Sequence, residues 1–461
     1  MISLSFGDLA REVEGQLLTE GSGMSSFNGV SIDSRTIANG QLFVAIRGEY
    51  NDGHDYISQA IEGGASGIIS DSRFNQNKKI ALRTPVVVVK DTHEAMIRLS
   101  SNYRKRINPK IIGITGSNGK TTTKEFTFAL LRAVEPTAYR SAGNLNNLYG
   151  VPLALLSMPQ NTKAAAIEMG ISTKGEMSRL TKIVRPDVAV ITNVGPSHLQ
   201  FLSTVEDVAY AKLEIITESP EMPLVINADN ELLFVEGKKV SKNITTFGID
   251  DEADFKPSSI ETTDKGSRVT IGNDTFSVGI FGRHGIYNLL AAYAACRTLG
   301  FDFSNVDCSK ITLAASSMRG ELIEKGGVRI INDAYNANPE SVKAGLESFK
   351  ATPAAGRRVL ILGDMLELGE RSEKFHRELG NSLSNFEFAF AIIVGEWSRA
   401  VLEGARQAGV SVNKLRSFKN VKEASFGIAE LIKNGDLIYI KGSRGVGLEK
   451  LIDNINGEGN D

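Results

Sequence analysis

Cysteine is almost missing from this chain: Cys296 and Cys308 are the only two among 461 residues. Two cysteines cannot build a disulfide framework or a thiolate zinc cluster. A reducing compartment is therefore expected, with the cytoplasm as the default. Histidine numbers five, at 54, 93, 198, 284 and 376, with no His-x-x-x-His pair for zinc. No run approaches 18 uninterrupted apolar residues, so no membrane span is expected. The first residues, Met1-Ile2-Ser3-Leu4-Ser5-Phe6-Gly7-Asp8, carry no basic segment, so no signal peptide is expected either. An excess of positive charge is also lacking. Lys and Arg total 52 against 54 Asp and Glu, for a net charge of −2, which argues against a nucleic-acid partner.

What is present is an ordinary globular composition, 41% hydrophobic and 23% charged, with 45 glycines. That glycine count is above the usual ~7% and suggests tight turns or phosphate loops. The length suggests about three domains. Strand patterns at Val30–Ile32, Leu42–Ile46, Ile68–Ser70 and Val86–Val89 and helical patterns at Tyr56–Glu62 and Glu94–Arg106 form a first block. It ends at Asn108-Pro109, a helix breaker. A second block alternates short apolar runs, beginning at Lys110–Thr115 and continuing through Ala164–Ile167, Val188–Ile191 and Leu224–Ile226, with amphipathic stretches. This pattern predicts a parallel sheet covered by helices. From about Thr245 to Phe281 a β-rich insert is expected, then a helix over Tyr287–Leu299. A third α/β block begins near Met318, with strands at Ile330-Ile331, Val359–Leu362, Ala391–Val394 and Leu437–Ile440. A frayed tail is expected over Gly457–Asp461.

The strongest motif is Thr115-Gly116-Ser117-Asn118-Gly119-Lys120-Thr121-Thr122, between a predicted strand and a predicted helix. Glycines there let backbone N–H groups approach phosphate oxygens, and the helix N-terminus adds positive potential. Lys120 would reach the β/γ-phosphates, and Thr121 would offer its hydroxyl to Mg²⁺. The loop is shorter than G-x-x-x-x-G-K-[ST], since Ile114 stands where the first glycine would fall.

Three further groups fall near strand ends, where ligands collect in parallel sheets. Glu168 ends one strand and can hold Mg²⁺; a solvated strand-end acid is the alternative. His198 follows the next strand, as a ligand or as a surface histidine. Lys212 shares the apolar stripe of Val205, Val208, Ala209, Leu213 and Ile216. It either snorkels or, with its ammonium disfavoured by burial, adds CO₂ to become an anionic carbamate.

Together these residues resemble the Mur ligases, ATP-dependent amide-forming enzymes of peptidoglycan assembly, over nearly the whole chain. The short phosphate loop is the family form. Segments Gly119–Glu125, Gly143–Pro152, Asp333–Ser341, Gly363–Gly369 and Lys441–Arg444 narrow the resemblance to the branch that adds D-alanyl-D-alanine to UDP-N-acetylmuramoyl-tripeptide. The resemblance implies an α/β fold of three domains. These are a small α/β UDP-binding domain (1–108), a central P-loop parallel-sheet ATPase domain with a β-rich insert (109–316), and a C-terminal Rossmann-like α/β domain (317–461). It implies ATP contacts from 115 to 122 and from Asn288, Arg319 and Asp333. UDP-substrate contacts are implied at Ser34, Arg35, Arg47, Gly48, Asn144 and Asn147. Dipeptide contacts are implied at Asn336, Asn338, Lys441, Ser443 and Arg444. Two Mg²⁺ sites would use Thr121, Glu168, His198 and carbamoylated Lys212, with Lys120, Glu168, His198 and Lys212 as the catalytic set. A monomer is expected. Gly285 departs from the family, which has Asn after His284. The third residue of the peptide, diaminopimelate or lysine, stays open. A diamino-acid-adding or folylpolyglutamate-synthase-like ligase is the alternative enzyme, and a non-catalytic UDP-sugar or nucleotide-binding regulator the alternative outside catalysis.

Overall fold

The computed structural model describes residues 1–18, 22–72, 84–263 and 265–455; the tail expected over Gly457–Asp461 lies outside them. Three α/β units follow one another, each built on a largely parallel sheet. In the first, the sheet order is Gln16–Leu17, Val86–Val88, Gly67–Ser70, Leu42–Val44, Val30–Ser31, parallel except for the first pair. A small antiparallel pair, Ser3–Ser5 with Ser26–Asn28, and the helix Phe6–Glu12 precede it. That helix is only seven residues long, too short for a clear period in the sequence.

The helix Thr92–Ile107 closes the first unit and ends, as expected, at Asn108-Pro109, with Asn108 as a left-handed cap at φ 50°. It also packs on the second unit. Tyr103 Oη donates to Met158 O at 2.7 Å, and Arg104 donates to Val184 O and Arg185 O at 2.8 and 2.9 Å.

The central sheet has six parallel strands, ordered Ile244–Phe247, Leu224–Asn227, Val188–Ile191, Lys110–Thr115, Ala164–Glu168, Tyr139–Arg140. Alternate residues serve two cores. Ile111, Ala165, Ile167, Ala189 and Ile191 face the helices shared with the first unit. Ile112, Ile114, Ala164, Val188 and Val190 face the helices Lys120–Val134 and Arg283–Thr298. Each fully buried Val or Ile contributes roughly 1.5–3 kcal/mol, which explains the near-continuous apolar runs of a sheet buried on both faces. The segment from Thr245 was expected to open the β-rich insert. Its strand instead pairs with Leu224–Asn227 as the edge of the parallel sheet. The insert proper is Ser259–Thr263, Gly266–Ile271 and Asp274–Gly279, joined in parallel by Thr312–Ala314.

In the third unit the order is Glu321–Lys325, Val328–Asp333, Leu437–Lys441, Arg358–Gly363, Phe390–Val394, Leu415–Phe418. The first pair is a hairpin and the rest are parallel. The last strand in the chain inserts between the second, Val328–Asp333, and the third, Arg358–Gly363, so Asp333 and Lys441 lie in register at neighbouring strand ends. In the central sheet the chain order reverses beside Lys110–Thr115. Such a switch point opens a crevice at the carboxyl ends of the strands. Among the described residues no helix is long and apolar enough to cross a membrane.

Candidate active site

The crevice is a cavity of about 1040 Å³ between the central and third units. Its floor is the loop after strand Lys110–Thr115. Gly116 and Gly119 have φ of 149° and 80°, values that side-chain-bearing residues rarely adopt. Added Cβ atoms there would overlap Thr192 Oγ1 and Asn288 Oδ1. The loop is braced from outside: Asn118 N donates to Asn193 Oδ1 at 2.8 Å and Ser117 Oγ to Gly195 O at 3.0 Å. Thr115 Oγ1 is buried without a hydrogen-bond partner among the described residues. Lys120 Nζ folds back on the loop, donating to Gly116 O at 2.7 Å and Ser117 O at 3.2 Å. Enclosure by protein pushes its pKa down, Glu168 opposes the shift and Arg319 adds to it. In this structure the ammonium is spent on the loop's own carbonyls, Gly116 O and Ser117 O.

Glu168 is held from two sides. Its carboxylate accepts from Thr121 Oγ1 at 2.7 Å and from Asn146 Nδ2 at 2.8 Å, and lies 3.8 Å from Lys124 Nζ. Lys124, one turn after Lys120, is completely buried and also donates to Gly143 O at 2.9 Å. Sequence reading gave it no role; its spacing of four from Lys120 on one helix was the available signal. The acid, the Thr121 hydroxyl and the adjacent phosphate loop form an oxygen-rich set that suits Mg²⁺, which keeps waters and phosphate oxygens as its other ligands.

His198 lines the same cavity with φ 55°. Its Nδ1 lies 3.1 Å from Glu367 Oε2 of the third unit, and this contact pulls the Glu367 pKa down. A metal bound at this nitrogen would take the place of Glu367. Lys212 is 2% exposed on helix Val205–Leu213. Among the described residues its ammonium meets no acid; burial, then the charge of Lys120, push its pKa well below the usual lysine range. It does not line the cavity itself.

Asn288 sits under the loop, accepting from Thr123 Oγ1 at 3.2 Å. At Gly285 an added Cβ would lie 2.9 Å from Ile280 Cβ and 3.2 Å from Ile280 O. The departure from the family thus fits a helix seated tightly on Ile280. The third unit adds Asp333, whose Oδ2 accepts from Lys441 Nζ at 2.7 Å and Tyr439 Oη at 2.9 Å. Arg319 stacks 3.9 Å from the Tyr335 ring centre, and Asn336 is exposed at the cavity wall.

Other expected residues stand differently. Asn338 spends its amide on structure: Oδ1 caps helix Pro339–Ala351 through Ser341 N at 2.9 Å, and Nδ2 donates to Asn118 Oδ1 at 2.8 Å. Ser443 is buried and accepts from Leu366 N at 2.9 Å. Neither Ser443 nor Arg444 lines the cavity. Asn144 and Asn147 do line it. The cavity does not extend to Ser34, Arg35, Arg47 or Gly48 of the first unit. There Arg35 pairs bidentately with Asp33, Nε at 2.9 Å and Nη2 at 2.7 Å, and Ser34 Oγ donates to Gln59 Oε1 at 2.8 Å. A first-unit contact that sequence reading missed is His93, stacked 4.2 Å from the Tyr149 ring beside Asn147.

Comparison with known proteins agrees with this fold. Three family models match in sequence order: Mur ligase family, catalytic domain at 26–104; Mur ligase middle domain at 114–296; and Mur ligase, glutamate ligase domain at 318–444. The chain is 35% identical over 455 residues to a UDP-N-acetylmuramoyl-tripeptide–D-alanyl-D-alanine ligase of Bacillus subtilis (strain 168), covering 98% of each. Among solved structures, MurF from Acinetobacter baumannii superposes with a TM-score of 0.85 at 26% identity, covering 98% of each chain. MurF ligase from Thermotoga maritima in complex with ADP gives 0.78 at 28%, covering 92% of this chain and 96% of that one.

Proposed function

The chain belongs to the Mur ligase family, and from that premise we propose that it joins D-alanyl-D-alanine to UDP-N-acetylmuramoyl-tripeptide at the expense of ATP, in the cytoplasm. One observation carries the reading. The phosphate loop with its held Glu168 faces the Asp333–Lys441 pair of the third unit across one cavity. ATP and an acyl group can meet there.

The peptide carboxylate attacks the γ-phosphorus of ATP, ADP leaves, and an acyl phosphate forms. The dipeptide amine then attacks the acyl carbon; the C–O bond to phosphate breaks and an amide remains. Phosphoryl transfer of this kind depends on positioning and charge neutralisation. Loop amides from Gly116 to Thr121 cradle the phosphates, and Lys120 leaves its carbonyl contacts to meet the β/γ oxygens. Asn288 and Asp333 meet the nucleoside end, and Arg319 the phosphates. Thr121 and Glu168 would hold one Mg²⁺; His198 and a Lys212 carbamate would hold a second. When bound, Mg²⁺ supplies the positive charge that lets two anions approach. The carbamate is supported by the burial of Lys212 and its lack of an acidic partner among the described residues. Ser34, Arg35, Arg47 and Gly48 bind the UDP end, Asn144 and Asn147 the substrate nearer the centre, and Asn336 with Lys441 and Arg444 the dipeptide. Packing of the third unit over the loop excludes water, which otherwise hydrolyses the acyl phosphate.

The test is phosphate release from ATP with the UDP-linked tripeptide, with and without D-alanyl-D-alanine. Dipeptide-dependent release and a pentapeptide product by mass are expected. Release only with a free diamino acid and the dipeptide-length precursor would assign the preceding ligation instead. No release with any amine, despite tight UDP-tripeptide binding, would make the protein a non-catalytic binder.

A further inference from the structure

An amide ligase must bring a positively charged amine up to an acyl phosphate. Most carboxylates lining the cavity are already engaged. Glu168 is held by Thr121 and Asn146. Asp333 is held by Lys441 and Tyr439. Asp229 accepts three backbone N–H groups and Tyr287 Oη, and Glu176 accepts two backbone N–H groups.

Glu340 differs. It sits in the first turn of helix Pro339–Ala351 and reaches across to the central unit. There its one hydrogen bond among the described residues is a long one, 3.5 Å from Asn118 Nδ2 of the phosphate loop. No cation forms an ion pair with it among the described residues; Lys343 acts on it only from a distance. Its carboxylate rests on Gly195, where any Cβ would overlap it. An acid in a first helical turn is favoured by the helix dipole anyway. That does not explain why this one turns into the reaction cavity against a glycine. Glu347, two turns further along the helix, also lines the cavity but is solvent-exposed.

We propose that Glu340 receives the ammonium group of the incoming dipeptide and holds it beside the phosphate loop, accepting one of its protons before attack. The ammonium gives one proton to the Glu340 carboxylate. The freed lone pair forms the C–N bond, and the second proton leaves with the departing inorganic phosphate. Half-burial raises the pKa of this acid, which suits it to accept a proton. The assignment rests on the ligase reading above and adds a specific recognition of the amine.

The experiment uses the full chain with Glu340→Gln and Glu340→Asp, each first checked for an unchanged melting temperature and unchanged UDP-tripeptide binding. Steady-state kinetics with D-alanyl-D-alanine are paired with inhibition by D-lactyl-D-alanine, the same molecule with a hydroxyl in place of the amine. Glu340→Gln is expected to raise the dipeptide KM about tenfold or more, the size of a lost charge-assisted hydrogen bond. It should leave the KM for ATP and the inhibition constant of D-lactyl-D-alanine within about twofold. Glu340→Asp should recover part of the dipeptide effect. Equal rises in KM for dipeptide and inhibitor, a shift confined to the Mg²⁺ requirement, or no change at all would each overturn the assignment. A wild-type protein inactive with the dipeptide would instead overturn the ligase reading.

Discussion

The two ends of the proposed substrate path are built on opposite principles. At the phosphate end almost every side chain is held before any ligand arrives. Glu168 has two hydrogen-bond donors, and Lys124 and Thr123 are fully buried. Asn118 is gripped by Asn193 and Asn338. At the first-unit end, Arg35 and Ser34 lie toward the surface and are satisfied by their own neighbours, Asp33 and Gln59. A transferring phosphoryl group needs donors fixed in advance, because reorganisation during the reaction costs rate. A diphosphate anchor needs only affinity, and exposed side chains can re-pair when it arrives. If Arg35 takes the diphosphate as proposed, the Arg35–Asp33 pair would open for it, at small cost for an exposed pair.

This contrast can be broken in graded steps. The largest effect is expected for Lys120→Ala. It should cut kcat for phosphate release by about 10³-fold, the scale of removing a preorganised charge-stabilising donor, while UDP-tripeptide affinity stays within about twofold by calorimetry. Next comes Lys212→Ala, expected to lose about 10²-fold in kcat and to regain part of it with added short carboxylates, which would stand in for the carbamate. Full activity in this variant would remove the carbamate. Arg35→Ala should weaken UDP-tripeptide binding about tenfold, the size of one charge-assisted contact, and leave the KM for ATP unchanged. An equal effect on both would mean that the two ends are coupled. The smallest effect is expected for Asn338→Ala. Losing the helix cap should cost about 1 kcal/mol, read as a lower melting temperature, with a rise in KM for ATP because Asn118 loses its third-unit partner.

Much of the fold was legible because local period reports local structure. The strands Val188–Ile191 and Leu437–Lys441 and the break at Asn108 stand in the sequence as apolar runs and a stop signal. The edge strand Ile244–Phe247 did not. Its burial is only partial, so it reads like the insert that follows, and its place is decided by pairing with Leu224–Asn227. Within the site, Gly116, Lys120 and Thr121 carry their chemistry in their spacing. Asn338 shows where that reasoning stops: a motif puts it near the site, but the cap and the bond to Asn118 decide what its amide is free to do.

By itself the sequence determined a cysteine-poor, nearly neutral three-unit α/β chain with a short phosphate loop, an acid and a histidine after successive strands, and a lysine on an apolar helix face. Helix and strand periods and loop motifs depend on residues a few positions apart. Only the tertiary structure decided that Lys124 supports Glu168, that Glu367 meets His198, and that Glu340 leans on Gly195. The Asn338 and Glu340 contacts with Asn118 join residues more than 200 positions apart. Such meetings are set by how separately packed cores come to rest against each other, and no local pattern encodes that.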